Sequence, residues 1–206
     1  CMHRRGELPL DGKRILELGG GMTGMSGLGI AAAVDAAEVV LTDGHPSCVA
    51  NMRVCVAMNA QRGTLRCPVS CRRLLWSLGR DDGAADAVPG GNADDAMPAT
   101  GFDVVIASDC LFFTHVAAEL EATLARCLAP EGVAVLVQPR RGGTAEAFLA
   151  RIGREGGPLE LVHGAPGAGA GDDGVVESLH AALESTEGYD EDVHLPFRIV
   201  LRRRRG

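Results

Sequence analysis

Glu17, Gly19 and Gly21 form an E-x-G-x-G pattern at the end of a short apolar run, Ile15, Leu16 and Leu18. Glycine carries no Cβ and tolerates φ > 0, so a loop of this kind lets the backbone come close to a ligand. A helix-compatible stretch follows, and the first N–H groups of a helix have no partners within it. Strand, glycine loop and helix in that order make a nucleotide-type cofactor site at the edge of a parallel sheet.

Three readings compete at the glycines. Gly19, Gly21 and Gly24 also fit G-x-G-x-x-G, the dinucleotide fingerprint, and Asp43 lies in the window for a ribose-binding acid. A ligand-free glycine turn is the second reading. The third is an S-adenosylmethionine loop, and Glu17 favours it. An acid two residues before the first glycine can meet the cationic ammonium of a methionine moiety, whereas it would repel a pyrophosphate. On this reading Glu17, Gly19, Gly20, Gly21 and Asp43 hold the cofactor.

The elements that position these residues follow from the patterning. Strands are expected at Arg14–Leu18, Glu38–Thr42, Leu65–Ser70, Phe102–Ala107, Val133–Val137, Leu159–His163 and His194–Leu201. Helices are expected at Met22–Ala36, Pro46–Gln61, His115–Leu128 and from Thr144, read as a cap, to about Glu155, with a short one at Val175–Leu183. Strands alternating with helices give an α/β class with a mainly parallel, doubly wound sheet. Ligands of such sheets lie beyond the carboxyl ends of the strands. The glycine turn, Asp43 and the segment Ser108–Phe112 all fall at such ends and can converge on one face.

Composition narrows the partners. The chain has 206 residues, 46% hydrophobic, enough for one domain spanning residues 1–206 with a real core. A net charge of −7 argues against a nucleic-acid surface. No apolar run reaches the roughly 20 residues of a membrane helix. Seven scattered cysteines, an odd count without C-x-x-C, fit reduced thiols in a cytosolic or nuclear setting. No metal-ligand spacing is present. Residues 79–101, rich in Gly, Asp, Ala and Pro, and the Gly-rich 164–174 read as flexible loops. With its first strand only about a dozen residues in, the chain reads as lacking a segment upstream.

ELGGGMTG, LTDG, the lone Trp76, SDCLFF, the Ala-Pro-Glu-Gly turn and QPRRGGT occur in that order. Together they resemble the family 16 seven-β-strand methyltransferases, most of which act on protein lysines. ELGGGMTG, DCLF and PRRG resemble its calmodulin-lysine branch in particular. The resemblance spans Arg14 to about Phe148 and resumes at Tyr189–Leu201, where YDEDVHLPF matches the family's last strand. It implies a seven-stranded Rossmann-like sheet, mostly parallel with an antiparallel last strand, and S-adenosylmethionine as cofactor. It implies a protein substrate, calmodulin, and a monomeric enzyme without membrane or nucleic-acid partners.

Carried over by position, the resemblance places Trp76 beside the adenine and Ser108 against the cofactor. It makes Asp109 and Phe112 the catalytic pair of a D-x-x-Y/F motif that shapes the lysine channel. Arg140 and Arg141 are either a solvated loop or a grip on an acidic substrate. Each residue also has a plainer reading: Asp43 ending a strand, Trp76 and Phe112 as core, Asp109 capping a helix. Other protein substrates, such as a chaperone or elongation factor, and a non-catalytic interaction module are the competing functions.

Overall fold

The structure, a computed structural model, describes residues 8–78, 101–139, 142–163, 182–190, 194 and 196–204. The stretches expected to be flexible, at 79–101 and 164–174, lie outside these residues apart from Gly101. So do Arg140, Arg141 and most of the helix expected at 175–183.

In chain order the elements are β1 (Arg14–Leu18), α1 (Met25–Ala33), β2 (Glu38–Asp43), α2 (Pro46–Gln61), β3 (Val69–Arg73) and β4 (Phe102–Ser108). There follow a 3-10 turn (Thr114–Val116), α3 (Ala117–Cys127), β5 (Leu128–Pro139), α4 (Thr144–Ile152), β6 (Leu159–His163) and β7 (Pro196–Arg203). The seven strands form one sheet in the order β3-β2-β1-β4-β5-β7-β6. β1 to β5 pair in parallel, while β7 runs antiparallel to both β5 and β6. The doubly wound sheet with an antiparallel last strand is the one expected. Strand order reverses between β1 and β4, which places the switch point where the glycine turn and Ser108 leave the sheet.

The central strands are buried on both faces, as parallel strands between helical layers must be. Ile15, Val39, Leu41 and Val104 pack towards Ala31 of α1 and Val49 and Met52 of α2. Leu16, Leu18, Val40 and Val105 pack on the other side with Leu120 and Leu124 of α3 and Phe148 of α4. Each of these Val, Leu, Ile, Phe and Met side chains contributes about 1.5–3 kcal/mol on burial. This packing fixes the strand ends that carry the site.

The structure corrects several expected boundaries. Strand 3 is Val69–Arg73, not Leu65–Ser70. It is an edge strand, and its register runs Val39↔Val69 to Asp43↔Arg73. Leu65 and Cys67 pack against the core without joining that ladder. β5 begins at Leu128, not Val133, because the Ala-Pro-Glu-Gly stretch forms an irregularity in the β4–β5 register. Helix α1 starts later than expected, after Gly24 in the left-handed region at φ +59°. Thr144 is not a cap: Gly143 holds that position, and the Thr144 hydroxyl donates to Leu111 O at 2.6 Å.

Candidate functional site

A cleft of about 520 Å³ opens at the carboxyl ends of β1, β2 and β4. Gly19, Gly20, Gly21, Asp43, Trp76, Ser108, Asp109 and Phe112, assigned from sequence, all line it. Glu17 does not.

The floor is the glycine turn. Gly19 has φ +64°, and a Cβ there would lie 2.7 Å from Cys110 Sγ and 3.3 Å from Trp76 Cζ2. A side chain is therefore excluded both by backbone conformation and by space. Gly20 N donates to Thr42 O at 2.8 Å, tying the turn to the end of β2. Gly21 N donates to Asp43 Oδ2 at 2.9 Å, and His45 N donates to Asp43 Oδ1 at 2.8 Å. Cys48 also hydrogen-bonds this carboxylate, and acceptor capacity remains on it for a ligand hydroxyl.

Glu17 lies behind this floor, 3% exposed, on the face of β1 that meets α1. Its Oε2 accepts from Gly27 N at 3.0 Å. The sequence puts Glu17 at the strand's end near the ammonium of a ligand; in the structure its carboxylate lies directly under the glycine turn, with Cδ 3.4 Å from where a Cβ on Gly20 would stand. Strand alternation is the reason: Glu17 shares its face with Ile15, under the helix. Burial pushes its pKa up, against the hydrogen bonds from Gly27 and Ser26 that lower it. Glu17 thus ties the glycine turn to the first turn of α1.

One wall is the segment after β3. Leu74 N donates to Asp43 O at 3.1 Å, and Ser77 N donates to Thr123 Oγ1 at 3.4 Å. Trp76 is held between these two anchors, with one face on the core. Leu74, Leu75 and Gly44 also line the cleft and were not assigned. The signal for them was an apolar pair directly following a strand at the ligand edge.

The opposite wall is the turn after β4. Ser108 Oγ lies 3.3 Å from Ser26 Oγ. Asp109 has φ +52°, and among the described residues no other non-glycine has positive φ. Phe112 is 55% exposed at the mouth, so it is not core. Phe113 stands beside it and stacks on His115 with centroids 5.4 Å apart. Cys110 points inward: burial first, then the charges of Glu17, Asp109 and Asp43, pushes its thiol up to about 12. The neutral S–H donates to Leu18 O at 3.4 Å.

This arrangement suits a nucleoside-bearing cation more than a pyrophosphate. Asp43 and Asp109 put carboxylates at either side of the cleft, and the floor is a cradle that any Cβ at Gly19 would fill. The sequence profile of a family described as lysine methyltransferase matches residues 3–155. The chain belongs to that family. It is 33% identical over 146 residues to a calmodulin-lysine N-methyltransferase of Arabidopsis thaliana, covering 68% of this chain. The match spans 42% of that relative's length. Among solved structures, an S-adenosylmethionine-dependent methyltransferase of Mesorhizobium loti superposes with a TM-score of 0.54 at 16% identity, covering 97% of this chain and 95% of the other. A methyltransferase of Pyrococcus furiosus gives 0.56 at 13%, covering 96% and 78%. These two likenesses are of fold. The cofactor that goes with this family and fold is S-adenosylmethionine.

Among the described residues, no group of three His, Cys, Asp or Glu side chains could hold a metal ion. No described helix is long and apolar enough to cross a membrane.

Proposed function

We propose that this chain is an S-adenosylmethionine-dependent protein-lysine N-methyltransferase and that calmodulin is its substrate. The observation that carries the reaction is the meeting of the glycine cradle and Asp43 with the Asp109–Phe112 turn in one cleft. The calmodulin assignment is supported by the likeness to the Arabidopsis enzyme.

S-Adenosylmethionine supplies a methyl group on a sulfonium, open to in-line displacement. The chain's part is to bind, align and keep water out. Gly19, Gly20 and Gly21 admit the methionine part, Asp43 accepts from the ribose hydroxyls, Trp76 flanks the adenine and Ser108 lies against the cofactor. The lysine must be neutral to attack. With an ordinary pKa near 10.4, deprotonation at pH 7 costs about 4–5 kcal/mol. An apolar entrance at Phe112 lowers that cost by disfavouring the ammonium. Asp109 orients the incoming ammonium by charge and hydrogen bond before its proton is lost. No general base is assigned.

The reading also takes the chain as a monomer of the cytosol or nucleus. The free thiols Cys48, Cys55, Cys67, Cys71 and Cys110 agree with a reducing compartment.

Transfer of label from methyl-labelled S-adenosylmethionine to unmethylated calmodulin tests the proposal. Label in wild type and little with Asp109→Asn supports it. Label appearing instead in a chaperone or an elongation factor replaces the substrate. Cofactor binding without transfer to any protein in a lysate contradicts the enzymatic reading.

A further inference from the structure

Gln138 stands one residue from the end of β5 and is 1% exposed. Its side-chain amide uses both ends. Oε1 accepts from Cys110 N at 2.9 Å and from Leu111 N at 3.2 Å. Nε2 donates to Ala107 O at 3.4 Å. One side chain therefore holds the chain on both sides of Asp109. Two neighbouring bonds complete the frame: Asp109 N donates to Val137 O at 2.8 Å, and Thr144 Oγ1 donates to Leu111 O at 2.6 Å.

The segment so held is the wall from Ser108 to Phe112. Asp109 sits there in the left-handed region, a conformation that residues with a Cβ adopt at a cost. Such a conformation persists where its surroundings over-determine it. The Gln138 amide serves this turn from a single side chain. The N–H groups of Cys110 and Leu111 need an acceptor out of water, and the amide that supplies it turns its own N–H towards Ala107 O. A carboxylate would satisfy the donors and repel Ala107 O. A hydrocarbon would satisfy neither.

We propose that Gln138 is the positioning residue of the substrate entrance: its amide fixes the turn that presents Asp109 and Phe112 to the incoming lysine. It touches neither cofactor nor substrate. The proposal rests on the lysine-methyltransferase reading for its effect on turnover, and on the turn's geometry alone for its effect on order.

The test compares wild type with Gln138→Leu and Gln138→Glu by three measurements. These are amide hydrogen exchange at Cys110 and Leu111, affinity for S-adenosylhomocysteine, and kcat/KM for the protein substrate. In Gln138→Leu, exchange quickens at Cys110 and Leu111 while the amides of β1 and β2 keep their protection. Affinity for S-adenosylhomocysteine changes by no more than about threefold, and kcat/KM falls about a hundredfold, the effect expected of displaced reacting groups. Gln138→Glu keeps the acceptor and recovers part of both the protection and the rate. Equal falls in cofactor affinity and turnover with loss of protection throughout the sheet would make the residue merely structural and overturn the proposal. So would an unchanged rate in Gln138→Leu. If wild type binds S-adenosylhomocysteine and methylates nothing, the function fails and exchange alone decides the positioning. Selective loss at Cys110 and Leu111 supports it, and unchanged exchange there overturns it.

Discussion

Asp43 Oδ2 accepts a 2.9 Å hydrogen bond from the backbone N–H of Gly21, a residue on the other side of α1 in the chain. The end of β2 thereby sets the shape of the turn after β1. The carboxylate is already ordered by Gly21 and His45 before any ligand hydroxyl reaches it. Less ordering is left to occur on binding.

Asp43→Asn keeps the side chain's size, removes its charge and gives up one of the two backbone bonds from Gly21 and His45, because an amide nitrogen does not accept. Hydrogen bonds to charged groups are worth about 1.5–3 kcal/mol, so affinity for S-adenosylhomocysteine is expected to fall about 10- to 150-fold. Isothermal titration calorimetry measures this directly. An affinity equal to wild type would remove Asp43 from the ribose site.

Gly19→Ala tests the cradle. The new Cβ meets Cys110 Sγ at 2.7 Å on a backbone at φ +64°. Left-handed strain and overpacking each cost at least about 1 kcal/mol. Urea denaturation should show a loss of about 2 kcal/mol or more, with cofactor binding abolished. Gly21→Ala meets no atom within 4 Å and carries the strain alone, so its loss is expected to be smaller.

Phe112→Ala separates entrance from core. The ring is 55% exposed, so stability should change by no more than about 0.5 kcal/mol. An aromatic anchor of a protein substrate is worth about 2 kcal/mol, so kcat/KM should fall about 30-fold. Urea midpoints and steady-state rates check the two halves. A large stability loss would return Phe112 to the core.

Glu17 carries a pH dependence. Burial raises its pKa above the usual 4.5, so the folded state holds the proton more tightly than the unfolded chain does. Its contribution to stability is complete below about pH 4.5 and is lost as pH rises through the raised value. Glu17→Gln keeps an acceptor for Gly27 N and does not titrate. Its stability relative to wild type is therefore expected to increase from acid to neutral pH, as followed by urea denaturation across that range. A difference that is flat with pH would show that burial does not perturb this carboxyl.

Much of the site was legible because it is local. E-L-G-G-G reads as strand and turn within five residues, and Asp43 and Asp109 follow strands with clear apolar runs. The direction in which Glu17 points depends on which face of β1 lies under α1, and that is a tertiary fact. β3 was misplaced because an edge strand ends in Arg72 and Arg73, while the apolar Leu65 before it packs outside the ladder. Gln138 could not be found from sequence: its partners are 27, 28 and 31 residues away and are all backbone atoms. Thr144 looked like a cap because a threonine before a helical stretch usually is one. Here its hydroxyl serves Leu111 instead.

The central claim is that the Asp109–Phe112 side of the cleft receives a lysine while the glycine side holds the cofactor. Asp109→Asn tests it most directly, because asparagine tolerates the left-handed backbone and, at nearly the same size, removes the charge and one acceptor oxygen. Intact-mass spectrometry of unmethylated calmodulin would be read beside calorimetry with S-adenosylhomocysteine. The account predicts unchanged product affinity and a rate of methyl addition lower by about tenfold or more. Methyl addition at the wild-type rate would contradict it.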